Sequence, residues 1–244
     1  MKVMTFNLRN ANADDGVNSW RFRKDFLFRY LRESDADVIC MQEVIPAVEE
    51  QMRQELSELY EFIGKGRLKE KNADDEINLI AFRRGKFSLL DSKHFWLSET
   101  PEVAGSKYPT QKFWPRTCTY IKLQCGAKEF AVFATHLDNA DPIARERGFK
   151  LILQMAYQEK NAFICGDFNE SPAKVSDWLP SDFVDYSVGL SDTYNGYGKE
   201  SSKIDYIIGK GKIDCIGCVC DRIMRNDDYI SDHFPVYAEL ILQN

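Results

Sequence analysis

Six short stretches set acids, amides and imidazoles where apolar runs end. "MTFN" closes on Asn7, "VICMQE" on Glu43, "VFATH" on His136 and "ICGDFN" on Asp167 and Asn169, while "KIDYII" carries Asp205 and "SDHFPV" carries Asp232 and His233. In an extended chain alternate side chains leave on one face. Asp167 and Asn169 are therefore expected to point the same way, with Phe168 turned back to the core and Gly166 admitting a close backbone approach. Any one of these residues alone reads as a turn or cap. Gathered where buried strands meet solvent, they are poor core residues. Together they describe one pocket at the end of a sheet, suited to a hard divalent cation with oxygen ligands. Such a pocket does phosphoryl chemistry: metal to offset phosphate charge, a carboxylate to orient water, a histidine to stabilise extra negative charge.

The elements that must position them are legible as alternating strands and helices. "KVMTFNL", "DVICMQEV", "INLIAFRR", "TCTYIKLQC", "EFAVFATHL", "NAFICGDF", "KIDYIIG" and "PVYAELIL" are short, apolar and bounded by turn or charged residues, as strands are. "WRFRKDFLFRYLRES" puts Trp20, Phe26, Leu27, Tyr30 and Leu31 on one broad helical face. "PAVEEQMRQELSEL" opens with a proline suited to a first turn and repeats Val48, Met52 and Leu56. "DPIARERGFKLILQMAYQEK" predicts a longer helix after the "FATHL" strand. No internal repeat, low-complexity stretch or linker interrupts the chain, so residues 1–244 are expected to form one domain of layered α/β type with mixed sheets.

Composition bounds the function. The 244 residues hold 32 Lys+Arg against 38 Asp+Glu, a net charge of −6. That balance argues against coating duplex backbones by charge alone, while leaving room for a local basic groove or for carboxylates neutralised by metal. No segment is long and apolar enough to cross a membrane, and the N-terminus reads at once as a strand, so a cytoplasmic monomer without membrane insertion is expected. Seven cysteines fall mostly within apolar runs, as buried reduced thiols do. Cys215, Cys218 and Cys220 lack a second ligand cluster of zinc-finger spacing and lie in a β-like stretch, so they too are expected to be free thiols.

"TFNLR", "QE", "THLD", "GDFN", "IDYI" and "SDHFPV" occur in the order and approximate spacing of the endonuclease/exonuclease/phosphatase superfamily, which the chain resembles from Asn7 to His233. The resemblance implies a four-layer α/β sandwich, with two mixed β-sheets packed face to face and flanked by helices. It also implies hydrolysis of phosphoesters with magnesium, or manganese in its place. Position by position, Glu43 resembles the family's metal-binding glutamate, Asn7 the amide beside it, and Asp232 the acid that completes the metal-histidine site. Asp167 resembles the residue that orients the attacking water, Asn169 the neighbour that holds a phosphate oxygen, and His233 the histidine on the scissile phosphate. Asp205 matches the acid that pairs with a catalytic histidine in the deoxyribonuclease-like branch, where His136 would be its companion. The "THL" pattern leans away from the abasic-site endonucleases. "W-x-x-R" at Trp20 and Arg23 fits bacterial members, with Arg23 open to a substrate-binding or a structural part.

Substrate choice falls to residues 94–116, too irregular for one strand or helix throughout. Trp96, Tyr108, Phe113 and Trp114 stand there among Lys107, Lys112 and Arg116, and aromatics beside cations stack a ring while a guanidinium grips phosphate. Arg116 is expected at the catalytic mouth on a substrate phosphate; Trp96 and Phe113 are as well explained by packing. Nucleic acid, phospholipid headgroups and small phosphate esters stay open as substrates. The competing class is an inactive binding module on the same scaffold, which the retained polar residues disfavour.

Overall fold

Two strand–helix–strand crossovers build the frame. In a computed structural model that describes residues 1–225 and 228–243, β1 (Lys2–Asn7) runs through α1 (Trp20–Glu33) to a parallel β2 (Val38–Val44). Parallel neighbours require such a crossover. The chain continues through α2 (Pro46–Leu56), β3 (Tyr60–Ile63), β4 (Ile77–Arg83), β5 (Ser88–Trp96) and β6 (Thr117–Cys125). The second crossover joins β7 (Lys128–His136) through α3 (Pro142–Ala156) to a parallel β8 (Ala162–Asp167). Then follow α4 (Pro172–Trp178), β9 (Phe183–Asp185), β10 (Asp205–Lys210), β11 (Ile213–Cys220), the short pair β12 (Met224–Arg225) and β13 (Asp228–Tyr229), and β14 (Val236–Leu242).

The strands form two six-stranded mixed sheets, ordered β11-β14-β1-β2-β4-β3 and β5-β6-β7-β8-β10-β9. Each has its parallel pair at the centre and antiparallel neighbours outside it. Alternation decides which side chain enters which layer. Val3, Val38, Cys40, Val132, Ala134, Phe163, Cys165, Ile207 and Val236 meet between the sheets. The intervening Met4, Phe6, Ile39 and Met41 pack beneath α1 and α2, and Ala131, Phe133, Ile164 and Tyr206 beneath α3 and α4. The result is the expected four-layer sandwich. All eight strands read from the sequence form, as do the three helices.

β3, β5, β9, β12, β13 and the helix α4 lacked a readable signature. β3 and β9 have four and three residues, too few for a period. β5 is an edge strand whose first six residues are all exposed, so no alternation marks it. The last residues of β5 also take up positions 94–96, leaving the irregular loop to begin at Leu97. The seven cysteines are free, and no helix of the described residues is long and apolar enough to cross a membrane.

Candidate active site

The inter-sheet core ends in polar side chains. One step beyond Thr5 on the same face comes Asn7; beyond Ala134 comes His136, beyond Cys165 comes Asp167, and ahead of Ile207 stands Asp205. Pairing aligns His136 with Asp167 across the parallel β7–β8 ladder and Asp205 with Asp167 across the antiparallel β10–β8 ladder. Gly166 makes the first ladder possible, because a Cβ there would lie 2.0 Å from the Thr135 carbonyl oxygen. Asn7, fully buried, ties the two sheets: its Nδ2 donates to Glu43 Oε1 at 3.0 Å and to Asp167 Oδ2 at 3.1 Å, while its Oδ1 accepts from the Arg9 amide at 2.9 Å. Glu43 Oε2 accepts from the Asn10 amide at 2.6 Å. Beyond the strand end the chain bends, so Asn169 adopts a positive φ of 50°, donates its amide to Asp167 Oδ1 at 2.9 Å and still lines the cleft beside it. Phe168 is turned into the helix-side core, as expected.

Strain collects here. Among the described residues six non-glycines have positive φ, and three of them, Arg9, Glu43 and Asn169, line this cleft. Such conformations cost about 1–3 kcal/mol each and persist where surrounding contacts enforce them. The enforcing contacts are those just described: each strained residue is bonded, by backbone or side chain, to Asn7 or Asp167.

His233 sits against three carboxylates. Its Nδ1 donates to Asp205 Oδ2 at 2.9 Å, its Nε2 lies 3.7 Å from Asp167 Oδ2, and Asp232 precedes it in the chain. Burial alone would push the imidazole down, yet the charges of Asp205, Asp167 and Asp232 outweigh it and hold it up at about 10, so it is a cation at neutral pH. Asp167 is pushed up to about 7, by burial first and by Asp205 as well. His136 lies 3.5 Å from Asp167 through Nε2, and burial together with Arg116, Arg67 and His233 keeps it well below its usual value, hence neutral. The expected His136–Asp205 pairing therefore does not form. β8 lies between β7 and β10, so the two side chains are separated by Asp167, and the histidine that reaches Asp205 is His233.

The cleft is about 670 Å³ and is lined by Arg9, Asn10, Glu43, Arg67, Glu76, Phe113, Trp114, Arg116, His136, Asn139, Asp167, Asn169, Tyr194, Ser202, Ile204, Asp232 and His233. Arg116 reaches it as expected, with Nη2 donating to Asn139 Oδ1 at 3.1 Å and Nε 3.8 Å from Asp138. Arg23 does not. Its guanidinium is buried and donates to the carbonyls of Asn18, Leu8, Ile230 and Arg9 at 3.0, 2.5, 3.4 and 2.9 Å, so it clamps the segment after β1 instead of meeting substrate. Trp96 is core, its Nε1 donating to the Arg67 carbonyl at 2.6 Å, whereas Phe113 and Trp114 are exposed on the rim. Arg9, Asn10, Arg67, Glu76, Asn139 and Tyr194 escaped the sequence reading. Arg9, Asn10 and Asn139 adjoin "TFN" and "THLD", and Glu76 opens "INLI", so adjacency to a motif was their signal; Arg67 offered none. Arg67 Nη1 donates to Glu76 Oε2 at 2.6 Å, and Asn10 Nδ2 to Glu76 Oε1 at 2.8 Å.

The donor set fits a hard divalent cation. Glu43 and Asp232 both offer carboxylate oxygens to the cleft, and burial, abetted by Glu43, pushes the Asp232 carboxyl up, a crowding of charge that a cation would relieve. Both polar atoms of Asn7 are engaged, so its part is to orient Glu43. A second group, Asp167, Asp205 and His233, brings ligand atoms within 4.8 Å of one another. There the His233 imidazolium already supplies positive charge beside Asp205 and Asp167, which leaves Glu43 and Asp232 as the better cation site.

The sequence pattern of the Endonuclease/Exonuclease/phosphatase family matches residues 4–233. No curated protein sequence matches the chain. Among solved structures, an endonuclease/exonuclease/phosphatase from Bacteroides vulgatus superposes with a TM-score of 0.92 at 27% identity, covering 99% of this chain and 98% of that one. A mannosyl-6-phosphatase from Bacteroides thetaiotaomicron does so with a TM-score of 0.87 at 26% identity, covering 99% of each. D. rerio TDP2 complexed with a single-strand DNA product shares the fold at a TM-score of 0.77 and 16% identity, over 99% of this chain and 98% of that one.

Proposed function

The chain belongs to the endonuclease/exonuclease/phosphatase family, and from that premise we propose that it hydrolyses a phosphoester with the help of a divalent cation held at Glu43 and Asp232, magnesium being the natural choice. The cation, when bound, supplies positive charge that offsets the phosphate. The protein's own residues do the rest. Asp167, fixed by Asn7 and by the Asn169 amide, orients a water and takes its proton as the water oxygen bonds to phosphorus and the ester oxygen departs. The departing oxygen leaves as an alcohol after protonation from solvent at the open mouth. His233, cationic, donates from Nε2 to a non-bridging phosphate oxygen, and Asp205 keeps both its orientation and its charge. Neutral His136, Asn169 and Arg116 offer further hydrogen bonds to the phosphate.

The observation that carries this reading is the Asp205–His233–Asp167 chain, at 2.9 and 3.7 Å, with Asp167 joined to Glu43 through the Asn7 amide nitrogen. The 26%-identical mannosyl-6-phosphatase supports a small ester as substrate, and the acidic balance of the chain weighs in the same direction. The test is a hydrolysis screen with magnesium or manganese over single-stranded and duplex nucleic acid, nucleotides, headgroup esters and sugar phosphates. Turnover should vanish with excess chelator and fall ~100-fold or more in Asp167→Asn. Full turnover under chelation, or in that variant, overturns the assignment.

A further inference from the structure

One wall of the cleft is not used by the hydrolytic groups. Phe113 and Trp114, adjacent on its rim, are 60% and 52% exposed. Single exposed aromatics are ordinary; these two are held in place. Lys107 Nζ donates to the Phe113 carbonyl at 2.9 Å, and Gln111 joins the same loop to Asp138, its Nε2 donating to the carboxylate at 3.0 Å while its Oε1 accepts from Tyr108 at 2.8 Å. Behind the rim lies the Arg67 guanidinium, 5.4 Å from the Trp114 ring centre and covering one face of the indole. Arg67 is 6% exposed, and its Nε has no hydrogen-bond partner among the described residues. A buried guanidinium N–H left unpaired beside a cleft calls for a ligand or a water.

The charge of this wall is balanced. Glu76 neutralises Arg67 at 2.6 Å, Asp138 lies 3.8 Å from Arg116, and Asn139 adds an amide whose Oδ1 accepts from Arg116 at 3.1 Å. A balanced mixture of guanidinium, carboxylate and amide around an aromatic face is a poor receptor for a second phosphate. It matches a polyhydroxylated ring, whose hydroxyls need donors and acceptors together and whose C–H face packs on an indole. The volume of 670 Å³ lies within the range of small-ligand clefts and admits a phosphate with one such ring attached. We propose that Trp114, Phe113, Arg67, Glu76 and Asn139 form a leaving-group subsite for the sugar ring of a sugar phosphate. This rests on the phosphoesterase reading above, and it assigns specificity to residues that take no part in the chemistry.

Binding separates the two ideas, because it is read without turnover. Calorimetric titration of the Asp167→Asn protein in magnesium compares mannose 6-phosphate, glycerol 3-phosphate and adenosine 5′-monophosphate. The hexose phosphate should bind about tenfold tighter than the ringless ester, a difference on the order of 1.4 kcal/mol. Adding Trp114→Ala should erase that difference, and Trp114→Phe should restore most of it. Equal affinity for hexose and glycerol phosphates, or a preference that survives Trp114→Ala, overturns the subsite. Tighter binding of the nucleotide than of the hexose phosphate overturns the sugar assignment in favour of a base. If the unaltered protein hydrolyses none of the three, the phosphoesterase reading loses support while the binding comparison still decides the subsite.

Discussion

The charge on His233 is the most exposed part of the mechanism, and Asp205→Asn tests it. Holding a buried imidazole at about 10 instead of its ordinary 6.5 favours the cation by ~5 kcal/mol, after burial has worked against it. Asp205 is the largest favourable contributor, through both its charge and its 2.9 Å hydrogen bond. The asparagine keeps a polar group in place but removes the charge, so burial should prevail and His233 should become neutral near or below pH 7. The chain has three histidines, and a three-signal imidazole titration by NMR is readily assigned with His94→Gln and His136→Gln. In the unaltered protein one imidazole should stay protonated through pH 8; in Asp205→Asn none should. Hydrolysis at pH 7.5 should fall ~100-fold or more with the loss of that donor. An imidazole of His233 that remains protonated at pH 8 without Asp205, or one that titrates near 6.5 with it, refutes the argument.

Other variants probe the frame around that group. Glu43→Gln should raise the magnesium concentration for half-maximal rate about tenfold or more, with melting unchanged; an unaltered metal dependence would count against Glu43 as the ligand. Arg23→Ala strips four backbone carbonyls of their donor and should cost ~3 kcal/mol or more in urea unfolding, whereas a loss under ~1 kcal/mol would disprove the clamp. Arg116→Ala should raise KM for the best substrate with little change in stability, and an unchanged KM would remove it from the phosphate site. His94, held down at about 4 by burial, stays neutral in the fold while the unfolded chain takes a proton at 6.5, so its contribution to stability is intact above 6.5 and lost as pH falls toward 4. Between pH 7 and pH 5 the loss should be about 2 kcal/mol, and His94→Gln should flatten that part of the acid limb; the same slope in the variant would rule His94 out.

The strand-end residues were readable because two signals coincided: an apolar run of period two, and a polar residue that kept the period past the end of the run. Asn7, His136 and Asp167 all extend an inner-face row in this way. Which strand lies beside which is not written in a local pattern, so nothing in the sequence could test the His136–Asp205 pairing that the family resemblance implies, and β8 separates the two. Arg67 was illegible for a different reason. It lies in "GKGRLKEKNADDE", whose charges describe a solvated loop, and only the fold brings it under Trp114 and against Glu76. Arg23 misled in the reverse sense, since an arginine on a helix beside a motif looks like a surface or substrate group, while its actual partners are carbonyls from segments far apart in the chain.

A site of this kind is assembled against local preference. Asp167, Asp205 and His233 are nearly solvent-free, and Arg9, Glu43 and Asn169 hold left-handed backbones. Each choice costs free energy on its own. What offsets them is the inter-sheet core directly beneath, where Val3, Cys40, Ala134, Cys165 and Ile207 leave the strand ends no freedom to relax. The Asn7 amide transmits that rigidity, joining Glu43 of one sheet to Asp167 of the other with a single nitrogen. The distance between Glu43 and Asp167, the proposed cation ligand and the proposed water-orienting acid, is thereby set by sheet-on-sheet packing instead of by a loop, and reactions sensitive to displacements of an ångström are best served by such a mount.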